Sequence, residues 1–534
     1  MPAPGFWGDA GGMLAQANTG AVRGIDAFVV RVEVNLSSGL PVFTVVGLAQ
    51  GSVREGRERV GAALQNSGFS LPQRRITVNL APADVRKEGT AFDLPIAIGI
   101  LVAAGHVPEA ALDGVFFLGE LGLDGSLRPV SGVLPVASLC MERRARALVL
   151  PAANAAEAAV VRGLTVLGAA DLAEVVRHLR GRVRLAATSC NPAALLSMMR
   201  GSAPDMSDVR GQAMAKRVLE IVAAGSHNIL MVGPPGSGKT MLARRLPGIL
   251  PPLVFREAME VTRVHSVAGL LGGSTLVAAR PFRSPHHSAS YAGLIGGGIP
   301  LRPGEISLAH NGVLFLDELP EFRRNALEVL RQPMEDGFVT LSRAGGSTRF
   351  PSRFLLVAAM NPCPCGHHGD GSDRCLCDPG RVARYRGRVS GPLIDRIDLH
   401  VEVPPVPIDA LGASTDGEAS GPIRQRVHAA RQIQTERFRE ATGLFANAHM
   451  GPAGLRRWCQ PSPSVGRLLK DAVGRAGLSA RAYDRVLRVA RTIADLEGDE
   501  AIREEHVAEA LQYRVLDRER GVPAPQGRVS HRVY

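Results

Sequence analysis

Three stretches of this 534-residue chain carry residue types whose spacing could do chemistry. "GPPGSGKT", that is Gly233, Pro234, Pro235, Gly236, Ser237, Gly238, Lys239 and Thr240, fits the phosphate-loop pattern G-x-x-x-x-G-K-S/T in full. Its glycines let backbone N–H groups converge on the phosphates of ATP or GTP. Lys239 is set to reach the β and γ phosphates, and the Thr240 hydroxyl to ligate Mg²⁺. "GVLFLDEL", 312–319, is an apolar run ending in two carboxylates. As a strand it would deliver Asp317 to the Mg²⁺ and Glu318 to the attacking water. A lone DE pair is a commonplace solvated strand end and gains its meaning from the phosphate loop ahead of it. "VAAMNPCPCGHHGDGSDRCLC", 357–377, gathers Cys363, Cys365, Cys375 and Cys377 as two C-x-C pairs around a nine-residue loop. Four such thiolates can close a tetrahedral zinc site with no open position, with His367 or His368 as a substitute for one of them.

The elements that must position these groups read as a parallel sheet flanked by helices over 208–405. The helical "GQAMAKRVLEIVAAG" leads into the strand-like "NILMVG", so the phosphate loop lies between a strand and a helix, as its chemistry requires. Another buried run, "FLLVAAMN", ends at Asn361 and should present a neutral amide at the same sheet edge beside Glu318, where it can orient water and sense the γ-phosphate. Between these strands, "EDGFVTLSRAGGSTRFPSRF" at 335–354 reads as a hairpin around an "AGGS" turn. Arg343 beside the turn and Arg349 on the returning strand are candidate DNA contacts through charge; the plainer alternative is that they protect an exposed hairpin.

Outside that module, residues 1–185 mix alternating stretches ("DAFVVRVEVNL", "RRITVNLAP", "GVFFLGELGL") with helical ones ("SVREGRERVGAALQNSG"), an α+β pattern. Residues 186–207 and 406–422 lose periodicity and read as linkers, 423–516 turn helical, and 517–534 form a basic tail. Lys and Arg exceed Asp and Glu by 62 to 50, a net +12 that suits a polyanionic partner. Aromatics are only 4%, which disfavours a platform of stacked bases. "MPAPGFWGDAGGMLAQ" lacks the pattern of a secretory signal, and the longest apolar run, 94–105, falls short of the roughly 20 residues a membrane span needs. We therefore expect a cytoplasmic protein with no membrane partner, in which Cys140, Cys190 and Cys459 are small reduced hydrophobes.

The order of strands, with Asn361 after the DE strand, resembles the AAA+ ATPases, in which that asparagine is called sensor 1. The resemblance extends to Arg396 in "SGPLIDRIDLHVEV" as the arginine finger offered to a neighbouring subunit, and to Arg481 in "GLSARAYDRVLRVARTIADLEG" as the sensor 2 arginine of a helical lid. A finger acting in trans implies a ring, most simply a hexamer. "RPFRSPHHSASYAGLIGGGIPLRPGEISLAHNGVLFLDELPEF", 280–322, is similar to the signature of the magnesium-chelatase-like YifB/ComM family. That resemblance implies a ChlI/Lon-type N-terminal domain, an AAA+ core and a magnesium-chelatase-type lid. It also implies an ATP- and Mg²⁺-dependent DNA motor that resembles MCM-type ring helicases and serves branch migration in natural transformation beside recombination proteins. A chelatase-type or protein-remodelling motor is the alternative. The N-terminal domain resembles that of Lon proteases through "VRKEGTAFDLPIAIGILVA" and "GELGLDGSLRPVSGVLPVA". Its serine position falls on Ala91 or Asp93 and its lysine position on Leu134, so no activated nucleophile is expected. His286 and His287 in "SPHHSAS" receive no role: DNA, a neighbouring subunit, core or solvent would each suit them.

Overall fold

Alternation of apolar and polar residues from Met13 onward builds the first of two large sheets in this computed structural model, which describes residues 13–49, 51–198, 204–298, 301–343, 346–371, 373–405, 417–441, 443–476, 479–514 and 516. Strands β1 (Met13–Arg23) and β2 (Asp26–Ser37) pair antiparallel, with Met13 opposite Leu36 and Arg23 opposite Asp26. Along β2 the residues Val30, Val32, Val34 and Leu36 are buried, the period-2 signature of one face turned to a core. With β3 (Phe43–Val46), β4 (Arg75–Ala81), β5 (Val115–Phe117), β6 (Ala147–Pro151) and β7 (Val166–Ala169), they make a seven-stranded mixed sheet of order β3-β4-β2-β1-β5-β6-β7. The apolar run that is too short for a membrane is the Asp93–Ala103 helix, buried on every side against this sheet. Each of its Ile and Leu side chains contributes about 1.5–3 kcal/mol by leaving water. The stretch "GVFFLGELGL" departs from the expected single strand: β5 stops at Phe117, and Glu120–Leu121 turns away to pair with Leu127–Arg128.

The second sheet comprises β8 (Ile229–Val232), β9 (Phe282–Arg283), β10 (Val313–Leu316), β13 (Leu355–Met360) and β14 (Leu399–Glu402), in the order β9-β10-β13-β8-β14 and parallel throughout. β8, β10 and β13 are wholly buried and β14 is buried up to Glu402 at its end, as continuous apolar runs between helix layers must be. β11 (Phe338–Arg343) and β12 (Gly346–Pro351) form the expected separate hairpin. Helices Ser420–Arg437, Pro463–Ala476, Ala480–Glu497 and Glu504–Gln512 form the helical end of the chain. A buried polar network organises it: Asp495 accepts from Arg437, Arg491 and Asn447, while Thr492 meets His227 of the core at 2.8 Å. The hydrogen bonds to Asp495 and Thr492 tie lid to core in one arrangement.

The stretch 186–207 is not a bare tether. Its Pro192–Met198 helix brings Leu195 and Leu196, with Cys190, against Val160 of the N-terminal sheet domain and Leu253, Ala258 and Leu276 of the ATPase module. Its apolar residues are too few to show a helical period, and they are half-buried only because two neighbours meet there. The same junction carries a buried hydrogen bond, Ser266 Oγ to Glu157 Oε1 at 2.6 Å, with Gly132 N donating to Ser266 O at 3.1 Å. Cys140 and Cys459 are buried and Cys190 half-buried, as expected of small hydrophobes. Residues 406–416 of the second linker and the tail 517–534 lie outside the described residues, and the lid helix begins at Ser420, three positions ahead of its expected start. No helix among the described residues is long and apolar enough to cross a membrane.

Candidate active site and cysteine cluster

β8 ends at Val232 and the chain enters the phosphate loop, with the Lys239–Ile249 helix following. Gly236 and Gly238 hold φ of +78° and +90°, and a Cβ on either would meet nothing within 4 Å, so the loop leaves an open cradle at a helix N-terminus. Lys239 is buried. Its Nζ donates to Gly233 O at 2.7 Å and Pro234 O at 2.8 Å, with Asn361 Oδ1 at 3.4 Å. Burial lowers its pKa and Asp317 opposes the shift. Anionic phosphate oxygens would be stronger acceptors for this amine than the carbonyls it now satisfies. Thr240 Oγ1 donates to Asp317 Oδ2 at 2.6 Å, which joins a hydroxyl and a carboxylate, the hard oxygen donors Mg²⁺ prefers. Cradle, amine and oxygen pair together fit a Mg²⁺-nucleotide.

Glu318 follows β10 in a left-handed conformation, φ 52°, with its amide donating to Asp317 Oδ1 at 3.0 Å. For a residue with a Cβ this costs about 1–2 kcal/mol, the kind of strain kept at functional sites. The carboxylate itself meets His287, whose Nδ1 lies 3.1 Å from Oε2. Asn361 leaves β13 at the same sheet edge, and its side-chain contact is with Lys239. The role of His287 escaped sequence reasoning. The usable signal was that "SPHHSAS" follows the short strand β9, which pairs with the DE strand β10.

The loop after Asn361 brings all four cysteines together, every Sγ within 4.8 Å of the others. Cys363 to Cys375 is 3.8 Å and Cys365 to Cys375 is 3.7 Å, against an Sγ separation of about 3.8 Å for tetrahedral zinc with Zn–S near 2.3 Å. The donor set fits the metal. His367 is engaged by Asp370 at 2.9 Å, so the thiols converge without the substitute ligand that the spacing allowed. A backbone N–H from His367 brings the Cys365 thiol down to about 6. The cluster also touches the phosphate loop: a Cβ on Gly366 would stand 2.6 Å from Cδ of Pro235.

Arg396 and Arg481 lie elsewhere. Both line a cleft of about 630 Å³ with Asn228, Gly312, Leu355 and Asp398. Asn228, Gly312 and Asp398 come just before β8, β10 and β14, and Leu355 opens β13, so the cleft occupies the sheet edge opposite the phosphate loop. Arg481 is thus placed away from the phosphate loop of its own chain. Arg485 and Arg488 join it at helical spacing along the Ala480–Glu497 helix. Arg396 is held by Glu335 at 2.5 Å, and Arg485 by Asp398 at 2.6 Å. Burial would raise Asp398, but Arg485 and His227 hold it well below the usual carboxylate range. The Nε atoms of Arg396 and Arg488 are buried without a hydrogen-bond partner among the described residues.

The hairpin pairs Arg343 with Gly346; the side chain of Arg343 lies outside the described residues, as do 344 and 345 of the turn. Arg349 is exposed, its guanidinium 4.6 Å over the ring of Phe338. In the N-terminal domain, Asp93 is tied to Arg59 at 2.7 Å and Leu134 is fully buried. Neither place offers a nucleophile with a base.

An all-parallel sheet with a phosphate loop at one edge, a carboxylate pair two strands away and a helical lid defines an ATPase of the AAA+ class. The chain matches the family models described as Magnesium chelatase, subunit ChlI, over 205–411, Subunit ChlI of Mg-chelatase over 32–154, and Magnesium chelatase, subunit ChlI C-terminal, over 417–514. It is 46% identical to the Competence protein ComM of Haemophilus influenzae over 95% of this chain and 98% of that protein. It is 43% identical to the uncharacterized protein YifB of Escherichia coli over the same shares of each. The Magnesium-chelatase 67 kDa subunit of Heliobacterium mobile is 28% identical over 32% of this chain and 30% of its own. The chain belongs to the YifB/ComM family of magnesium-chelatase-like AAA+ ATPases.

Proposed function

We propose that this ATPase works as a ring, most simply a hexamer, that drives DNA branch migration in recombination of the kind natural transformation requires. The observation that carries the ring is the arginine-lined cleft on the sheet edge away from the phosphate loop, with buried guanidinium Nε atoms left unpaired. Such arginines serve catalysis only when a neighbouring copy presents its nucleotide to them, Arg396 and Arg481 then neutralising transition-state charge. Within one chain, Lys239 holds the β and γ phosphates and Thr240 with Asp317 holds the metal. Glu318 takes the proton of the attacking water, and Asn361 orients that water. Mg²⁺ supplies charge neutralisation across the phosphate oxygens. The four cysteines hold a structural zinc that orders the loop behind Asn361 and braces Pro235.

DNA as the partner rests on the net charge of +12, on the hairpin bearing Arg343 and the exposed Arg349, and on a relative named as a competence protein. The test is ATP hydrolysis and strand movement on three- and four-way junctions, beside Glu318→Gln. Junction-stimulated hydrolysis, with branch migration lost in the variant, is the expected result. Hydrolysis indifferent to every DNA would favour the chelatase-type or protein-remodelling reading.

A further inference from the structure

We infer that His287 is a positioning residue for Glu318, setting the direction of the carboxylate that activates water. The inference rests on the assignment of Glu318 as the general base. Four observations support it. First, His287 Nδ1 stands 3.1 Å from Glu318 Oε2, and this is the one ion-pair partner of Glu318 among the described residues. Second, the imidazole has two ring neighbours: the His286 ring centroid lies 4.0 Å from its own, and the Phe322 ring meets it edge-on at 6.5 Å. Third, His286 is itself anchored, because the Ser288 amide donates to its Nδ1 at 3.3 Å and the Ser288 hydroxyl lies 2.8 Å from the same atom. Fourth, Phe322 is buried and belongs to the turn that follows Glu318, so the clamp and its target ride on one piece of chain.

The chemistry follows from what a free glutamate would do. Its side chain is half-exposed and has three rotatable bonds, so without a partner it would spend most of its time in orientations useless to a water beside the γ-phosphate. Engagement of Oε2 by the imidazole leaves Oε1 as the free acceptor for the water proton and fixes where it points. The charged partner of His287 is Glu318, so its effect is argued to pass through that carboxylate, and the comparison with Glu318→Gln separates this from ordinary active-site damage.

The experiment compares the full-length protein with His287→Ala, His287→Asn, Glu318→Gln and the His287→Ala/Glu318→Gln double variant. Steady-state ATP hydrolysis is measured together with binding of a fluorescent ATP analogue. For His287→Ala, kcat should fall about ten-fold, less than the roughly 100-fold or more of losing the base itself because Glu318 remains, with KM and analogue affinity unchanged. His287→Asn, which keeps a donor at nearly the same place, should recover part of kcat. In the Glu318→Gln background the His287→Ala change should cost nothing further, because its target is gone. An unchanged or increased kcat in His287→Ala, a matching loss of analogue binding, or a multiplicative loss in the double variant would overturn the positioning role. If Glu318→Gln itself hydrolyses ATP normally, the general-base assignment falls instead, and the two failures stay distinct.

Discussion

Thr240 and Asp317 share a 2.6 Å hydrogen bond although they stand 77 positions apart and their strands, β8 and β10, are not neighbours. β13 lies between them, so the phosphate-loop hydroxyl and the carboxylate meet only because three parallel strands end at one edge. Asn361 completes that edge from the intervening strand and reaches Lys239. Metal and phosphate chemistry thus converge where the sheet opens, as parallel sheets generally arrange it.

Replacing Lys239 with Ala should abolish ATP binding, whereas Glu318→Gln should bind ATP and fail to hydrolyse it. Equilibrium binding of a fluorescent analogue, set beside phosphate release, separates the two. A loss of about 100-fold or more in kcat is expected for the glutamine variant.

Two inactive chains should repair one another. Glu318→Gln retains the arginines of the opposite edge, and Arg396→Ala or Arg481→Ala retains the base, so a mixed ring contains some intact interfaces. Hydrolysis by the mixture should exceed that of either variant alone. No recovery at any ratio would mean that these arginines do not act on a neighbour's nucleotide.

Protein purified under reducing conditions should carry about one zinc per chain, and Cys375→Ser should lose it. Because Gly366 packs on Pro235, metal loss should also raise KM for ATP several-fold while leaving the fold of the N-terminal domain intact. Metal analysis and kinetics on the same preparation check both parts.

Arg343→Ala and Arg349→Ala should each remove most of the DNA-stimulated increment of hydrolysis. Each should also lower the salt dependence of DNA binding by about one released counterion. A salt slope identical to that of the parent would show that the hairpin does not grip phosphates.

Acid should weaken the contact that steadies the DE strand. His310 at 3.2 Å and Asn311 at 3.1 Å, immediately ahead of β10, hold Glu260 down to about 2 from its ordinary 4.5. The depressed value means the ionised form stabilises the fold above its ordinary pKa, and that support is lost as pH falls from about 5 toward 2. Glu260→Gln should be less stable at neutral pH, by about 1 kcal/mol, yet show a flatter acid limb in thermal unfolding.

Local chemistry was legible in the sequence wherever one stretch carries it whole. The phosphate loop, the DE strand, the hairpin and the four-cysteine loop each announce themselves by residue type, spacing and period, because backbone geometry and ligand valence act over a few positions. The class of fold followed from the alternation of apolar runs and amphipathic helices. What only the tertiary structure decided are relationships between distant stretches. The strand order places β13 between the phosphate loop and the carboxylates. The arginines of Ala480–Glu497 lie on the far edge of the sheet from Lys239, a consequence of how a lid packs that no helical period can express. The linker helix Pro192–Met198 has its leucines half-buried by neighbours that its own sequence does not contain. His287 had no role in the sequence because its partner, Glu318, lies in another segment, and only pairing of β9 with β10 brings the imidazole to the carboxylate.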